Sequence, residues 1–220
     1  KCINKADVLS ANSMVAQENL KHFFLRDVIL IKNSLEIDKL PEKQIGTIRK
    51  IFVPARISPL KNQKLIIDWL VEHPTYDVEI YFAGQISDKS YYELLLELVK
   101  RYRLSDKIHF LGFVTDIRSL YKNLDICILP SFSEGMANVI LEAFAYGMPI
   151  FVSNIAMNML NENAIRYSFS PTSVDELDAV FHDFCNLSNE QKYAIQVSNY
   201  EYVKREHSVE KMVKAYDDLI

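Results

Sequence analysis

Apolar positions along this chain fall into two kinds of pattern. Short, nearly continuous runs at 6–10, 28–31, 51–53, 78–83, 108–111, 126–129 and 149–152 are bounded by Gly, Pro, Asn, Asp or Ser and read as strands. Between them the apolar residues take helical spacing. Asn12-Ser13 is an N-cap for a helix over 14–24, and Asn62 opens one running to His73 with Leu65, Ile66, Trp69 and Leu70 on one face. A helix over 91–102 sets Leu94, Leu95, Leu98 and Tyr102 toward a core. Asp116 caps a short one carrying Ile117, Leu120 and Tyr121, and another ends near Tyr146. Two more follow over 173–187 and 189–202, and His207-Ser208 opens a last one reaching Ile220. Strands alternating with helices at this spacing predict an α/β fold with a doubly wound parallel sheet.

Such sheets bind ligands at the carboxyl ends of their strands. The loops after Val53, Ala83, Leu111 and Leu129 therefore share one predicted rim. It carries Arg56 and Lys61, then Gly84-Gln85, then the turn from Gly112 to Asp116 with Thr115, and finally Ser131 to Gly135. The last loop belongs to the string LPSFSEGMANVILEAFAYGMPIFVS, from Leu129 to Ser153, which reads strand, polar loop, helix, strand. Within it Glu134 and Glu142 stand with seven residues between them. Two cations beside a helix start, with exposed amides at a second helix start near Gly135, suit a diphosphate. Carboxylates suit the hydroxyls of a ribose or a sugar, because they accept hydrogen bonds. A diphosphate joined to polyols is a nucleotide-sugar. Taken singly, Arg56 and Lys61 read as surface charges and Glu142 as a solvated helix position; the ordered string is what gives them weight.

Composition narrows the alternatives. Hydrophobic residues make up 49% and charged residues 25%, as in ordinary globular proteins, and a net charge of -4 gives no support to a nucleic-acid partner. Cys2, Cys127 and Cys185 are odd in number and far apart, which points away from a disulfide framework and toward a reducing compartment. No Cys/His group has metal spacing, no apolar run has the length of a membrane span, and a signal peptide is not expected. G-x-G-x-x-G, a Walker loop, a nucleophile elbow and D-x-D are all absent from the sequence.

The string around Glu134 and Glu142 resembles the E-x7-E signature of the retaining family-4 (group 1) glycosyltransferases of the GT-B architecture, in their C-terminal, donor-binding half. PARISPLKNQKLII resembles that family's first donor-domain strand with its Arg/Lys loop; YFAGQ, IHFLGFVTD and LYKNLDICILPS follow in the family's order. HSVEKMVKAYDDLI resembles its closing helix, and ADVLSANS with DVILIKNSLEI resembles the end of the N-terminal domain and the interdomain link. The resemblance implies a Rossmann-like fold in three parts: 1–40 the tail of the acceptor-side domain plus the link, 41–205 the donor-binding domain, and 206–220 a helix folding back toward the other domain. It implies catalytic roles for Arg56, Lys61 and Glu134, the cations neutralising the donor diphosphate and Glu134 holding the transferred sugar. It places Glu142 on the ribose, Gln85 and Thr115 near the base, and Ser133, Gly135, Met136, Ala137 and Asn138 around the phosphates and sugar. No metal and no cofactor beyond the nucleotide-sugar donor is expected. Transfer would proceed with retention to a saccharide or lipid-linked saccharide acceptor, in bacterial polysaccharide assembly.

Departures from the family pattern bear on these expectations. Ala137 stands where proline is usual, Ala55 and Asn62 where glycines are common, and SNIAMNMLN follows Val152 in place of a glycine- or proline-containing run with an acid. Most of the N-terminal domain is expected to be missing, so the chain by itself would bind donor weakly and transfer poorly or not at all. Its expected location is cytoplasmic, with any membrane contact made through the missing domain. Two other readings stand beside the enzyme: a non-catalytic nucleotide-sugar-binding or pairing subunit of a split transferase, and an epimerase of the same architecture, whose acids and histidines have no matching set here.

Overall fold

The computed structural model of the chain describes residues 7–37, 39–40, 45–134, 138–155 and 167–218. Among these, a parallel sheet of six strands forms the centre: β3 (Lys50–Pro54), β4 (Glu79–Ala83), β5 (Ile108–Gly112), β6 (Ile126–Leu129), β7 (Ile150–Ser153) and β8 (Ser168–Phe169). Across the sheet they run β5-β4-β3-β6-β7-β8, every pair parallel. The chain winds outward from β3 in one direction, returns, and winds outward from β6 in the other. The order therefore reverses between β3 and β6, which is the switch point where doubly wound sheets open a crevice at their carboxyl edge.

Helices cover both faces, as the buried strands require. On one face α2 (Gln63–Glu72), α3 (Lys89–Arg101) and α6 (Val174–Cys185) close a core around Ile51, Val53, Ile80, Phe82, Trp69, Leu95 and Phe181. On the other, α4 (Ile117–Asn123) and α5 (Asn138–Ala145) pack Tyr121, Ile140, Leu141 and Phe144 against Phe52, Cys127, Leu129 and Val152. The long α7 (Asn189–Glu206) lies against α5 and delivers Val203 to that second core. Most starts carry the capping side chain their sequence offers. Asp88, Asp116 and Ser173 each accept from a backbone N–H of the first turn, and Ser188 with Gln191 forms a capping box.

A smaller unit precedes the sheet. β1 (Ser10–Ala11), α1 (Met14–Phe24) and β2 (Ile29–Leu30) form a two-stranded parallel pair with its crossover helix, capped by Ser13. The following link is tied to the chain's far end. Leu35 N–H donates to the His207 carbonyl (3.0 Å), Asn33 and His207 meet at 2.7 Å, and α8 (Val209–Asp217) brings Met212 onto Ser34. His207 is buried, and that burial lowers its pKa below the ordinary histidine value.

Several sequence expectations need correcting. Among the described residues the first two strands are shorter, Ser10–Ala11 and Ile29–Leu30, with Leu9 and Ile31 adding one main-chain hydrogen bond each at their ends; Ala6 lies outside the described residues. On α3, Leu94 and Tyr102 face solvent, exposed by 42% and 46%; the buried stripe is Leu95, Leu98 and Val99, one position round the helix. β8 was not anticipated, since two residues carry no periodicity.

Gly84 has one physical requirement. A Cβ there would lie 2.2 Å from the Ala55 carbonyl oxygen, at the place where the loops after β3 and β4 touch backbone to backbone. Gly84→Ala should therefore lower stability by about 1–3 kcal/mol, read as a drop in the thermal unfolding midpoint. An unchanged midpoint would mean that the two loops are not in that contact.

Candidate functional site

The four loops at the carboxyl edge are stitched together by main-chain hydrogen bonds. Ile57 N–H donates to the Gln85 carbonyl (2.8 Å) and Ala55 N–H to that of Ala83 (3.0 Å), joining the loops after β3 and β4. Gly84 N–H donates to Gly112 (2.8 Å), bringing in the loop after β5. Across the switch point, Phe132 N–H donates to the Leu60 carbonyl (2.8 Å), which ties the loop after β6 to the one after β3. One continuous rim results. Arg56 lies on it beside Gln85, both exposed, and Arg56 makes no ion pair among the described residues.

At the switch point itself, Lys61 Nζ meets Glu134 Oε1 at 2.6 Å, with side chains only 18% and 8% exposed. Lys61 ends a short 3-10 turn, Pro59–Lys61, and α2 begins two residues later. Asn62 between them adopts φ 53°, a left-handed conformation that asparagine tolerates better than most side chains. This accounts for asparagine where the resembling family favours glycine, and its side chain adds what glycine cannot. Its amide donates to the carbonyls of Pro130 (3.2 Å) and Pro171 (2.7 Å), pinning the β6 loop to the start of α2. With Asn62 so engaged, the first turn of α2 is capped from outside the helix, Lys64 N–H donating to the Tyr91 hydroxyl at 3.0 Å, and the positive end of its dipole stands next to Lys61. Gln63, fully buried, donates to the Arg56 carbonyl at 2.9 Å and fixes the intervening loop.

Glu142 lies on α5, on the other face of the sheet's edge. It makes no ion pair with Lys61; Tyr121 of α4 donates its hydroxyl to Glu142 Oε2 at 2.8 Å. Tyr121 is buried, edge-on to Phe52 (5.1 Å) and stacked on Tyr146 (5.5 Å). Burial first, then the neighbouring Cys127 and Glu142, hold its pKa well above the ordinary phenol value. Burial and the Glu142 charge likewise push the Cys127 thiol up. Asn138, the first residue of α5, accepts from Asn33 Nδ2 at 2.7 Å, so the link touches the signature helix directly.

The structure thus brings Lys61 to Glu134 and Arg56 to Gln85, and places Glu142 and Asn138 along α5 with partners of their own. Ser133 and Thr115 are exposed on the same rim. Gly135, Met136 and Ala137 lie outside the described residues. Asn62, Gln63 and Tyr121 were not among the expected site residues. Asn62 and Gln63 adjoin the Arg/Lys loop, which was the available signal, whereas Tyr121 read only as one more core position of a short helix. Among the described residues, no group of three or more His, Cys, Asp or Glu side chains could hold a metal ion, and no helix is long and apolar enough to cross a membrane.

Three comparisons bear on this site. Residues 37–202 match the family model of glycosyl transferases group 1. Protein CapJ of Staphylococcus aureus is 32% identical over 105 residues, covering 46% of this chain and 26% of its own. UDP-Gal:alpha-D-GlcNAc-diphosphoundecaprenol alpha-1,3-galactosyltransferase of Escherichia coli is 26% identical over 220 residues, 88% of this chain and 54% of that protein. Among solved structures, a glycosyltransferase from Rickettsia africae superposes with a TM-score of 0.86 at 20% identity, over 99% of this chain and 63% of its own. The chain thus spans about a quarter to a half of the curated relatives' length. The shared fold is the doubly wound, Rossmann-like half of GT-B type predicted from the strand–helix alternation.

Proposed function

The chain belongs to the glycosyl transferases of group 1, and from that premise we propose that it is the donor-binding half of a glycosyltransferase, taking a nucleoside-diphosphate sugar at the β3/β6 switch point. The observation that carries this reading is the Lys61–Glu134 pair next to the start of α2 at the switch point. A diphosphate supplies the anion that Lys61, Arg56 and the positive end of the α2 dipole favour, and a transferred sugar supplies hydroxyls that donate to Glu134. Glu142 takes the ribose. The positive groups stabilise the leaving diphosphate without a metal ion, and transfer proceeds with retention. By analogy with the galactosyltransferase relative, the acceptor is a lipid-linked saccharide, and the pathway is bacterial polysaccharide assembly in the cytoplasm.

Transfer requires an acceptor-side domain, which we place against the β1-α1-β2 unit and α8. A two-stranded parallel sheet with open edges is not stable by itself. Its apolar residues are unusually bare: Met14 is 64% exposed, Phe23 78% and Leu25 88%, and on α8 Val213 and Tyr216 are about half exposed (48% and 49%). The same surface suits a separate acceptor subunit, so it also favours the split-transferase reading.

Calorimetric titration of uridine and guanosine diphosphates tests the donor site. One of them should bind, and Glu142→Ala should weaken it about ten-fold, the effect of losing a hydrogen bond to a charged group. Equal affinity in wild type and variant would remove Glu142 from the site.

A further inference from the structure

We propose that Tyr121 is a positioning residue for the donor, its hydroxyl aiming the Glu142 carboxylate at the vicinal hydroxyls of the ribose. This rests on the donor-site reading above. A free glutamate samples many rotamers, and a carboxylate that must receive two neighbouring hydroxyls in one geometry gains from being held. Among the described residues, Glu142 has a hydrogen bond at one oxygen. Tyr121 donates to Oε2, and an ionised carboxylate can do nothing there but accept. No described residue occupies Oε1, which in this proposal receives the ribose.

The donor is itself immobilised. Tyr121 is 3% exposed, its ring fixed between the edge of Phe52 on β3 and the face of Tyr146 at the end of α5. Phe52 belongs to the strand that begins the Lys61 loop, so the same rigid layer sets both ends of the site. Desolvation keeps the phenol protonated, so it stays a donor at any working pH. The competing explanation is a plain brace between α4 and α5, which would affect folding and leave ligand discrimination untouched.

Nucleotide discrimination separates the two. Wild type and Tyr121→Phe are titrated with uridine and guanosine diphosphates and with their 2′,3′-dideoxy counterparts, and thermal midpoints are recorded alongside. The expected result is that wild type prefers the diol, and that Tyr121→Phe loses about ten-fold for the diol form with no change for the dideoxy form. In a Glu142→Ala background, Tyr121→Phe should have no further effect on binding. Retained discrimination in Tyr121→Phe, an equal loss for both ligand forms, or a variant that does not fold would each overturn the inference while leaving the donor site standing. A wild-type chain that binds both forms equally would instead remove Glu142 from the ribose, and the role of Tyr121 with it. One that binds no nucleotide would sink the donor-site reading as a whole.

Discussion

Lys61→Ala should weaken nucleoside-diphosphate binding about a hundred-fold and lower stability by roughly 2–4 kcal/mol at the same time. The two losses have different origins. Binding falls because the ammonium at the switch point is the half-buried cation facing the proposed diphosphate, while Arg56, exposed on the rim, is screened by solvent. Stability falls because Glu134, its side chain 8% exposed, is left as a carboxylate with no counter-charge. A double variant distinguishes them. Lys61→Ala with Glu134→Ala removes the stranded charge, so the thermal midpoint should return most of the way while nucleotide affinity stays low. Lys61→Arg should keep the midpoint, since it preserves the charge, but bind less well because its planar fork does not reproduce a point donor. If single and double variants bind as wild type does, Lys61 does not face the diphosphate. Under the proposed donor reading, ligand entry is an exchange in which Glu134 releases the ammonium to the phosphate and accepts sugar hydroxyls in its place.

Much of this site was legible because α/β winding reduces position to order. Apolar runs at 51–53 and 126–129, each followed by a polar loop, were enough to place Lys61 and Glu134 on one rim, since parallel strands send successive loops to the same edge. The strand order β5-β4-β3-β6-β7-β8 makes those two loops neighbours, and that neighbourhood is a property of the assembled sheet that no local pattern contains. Side-chain partnerships were less accessible for a related reason. Tyr121 sits on a short helix whose spacing declares a buried face, yet its hydroxyl acquires meaning only through Glu142, 21 residues later, on a helix packed beside it. Asn62 looked like a departure from a glycine position. Its conformation satisfies the glycine requirement, and its two carbonyl partners, one in the loop after β6 and one after β8, lie 68 and 109 residues away. Leu94 and Leu95 show the opposite limit: only one of these adjacent leucines turns to the core, and spacing alone does not choose between them.

Far from this edge, Asp178→Ala should cost about 3–5 kcal/mol, the largest single loss of stability expected outside the site. Asp178 on α6 gathers the C-terminal end of α2 and the turn that follows it. Its Oδ1 accepts from Trp69 Nε1 at 2.9 Å and from the Tyr76 hydroxyl at 2.7 Å, while His73 lies 3.5 Å away and His182 3.8 Å. Trp69 is fully buried and edge-on to Phe181, so removing the carboxylate strands an indole N–H in the core. Burial alone would raise the Asp178 pKa, but the two hydrogen bonds and the flanking imidazoles outweigh it and hold the group below its usual value. Tyr76 is pushed up in turn, first by burial and then by Asp178. A carboxylate held low contributes its stability in full above the unfolded value, near pH 4, and loses it as pH falls through the lower folded value. Stability of the wild-type chain should therefore drop steeply in that acid window. Asp178→Asn keeps an acceptor oxygen for the indole and cannot titrate, so it should be less stable than wild type at pH 7 and show a flatter acid limb. Denaturant unfolding from pH 7 down to pH 3 reads both effects. Parallel acid limbs for wild type and Asp178→Asn would show that the network stabilises the fold without being charged. Nucleotide affinity should be unchanged in Asp178→Asn, because α2 transmits the network to the sheet's amino edge, at the end of the helix opposite Lys61.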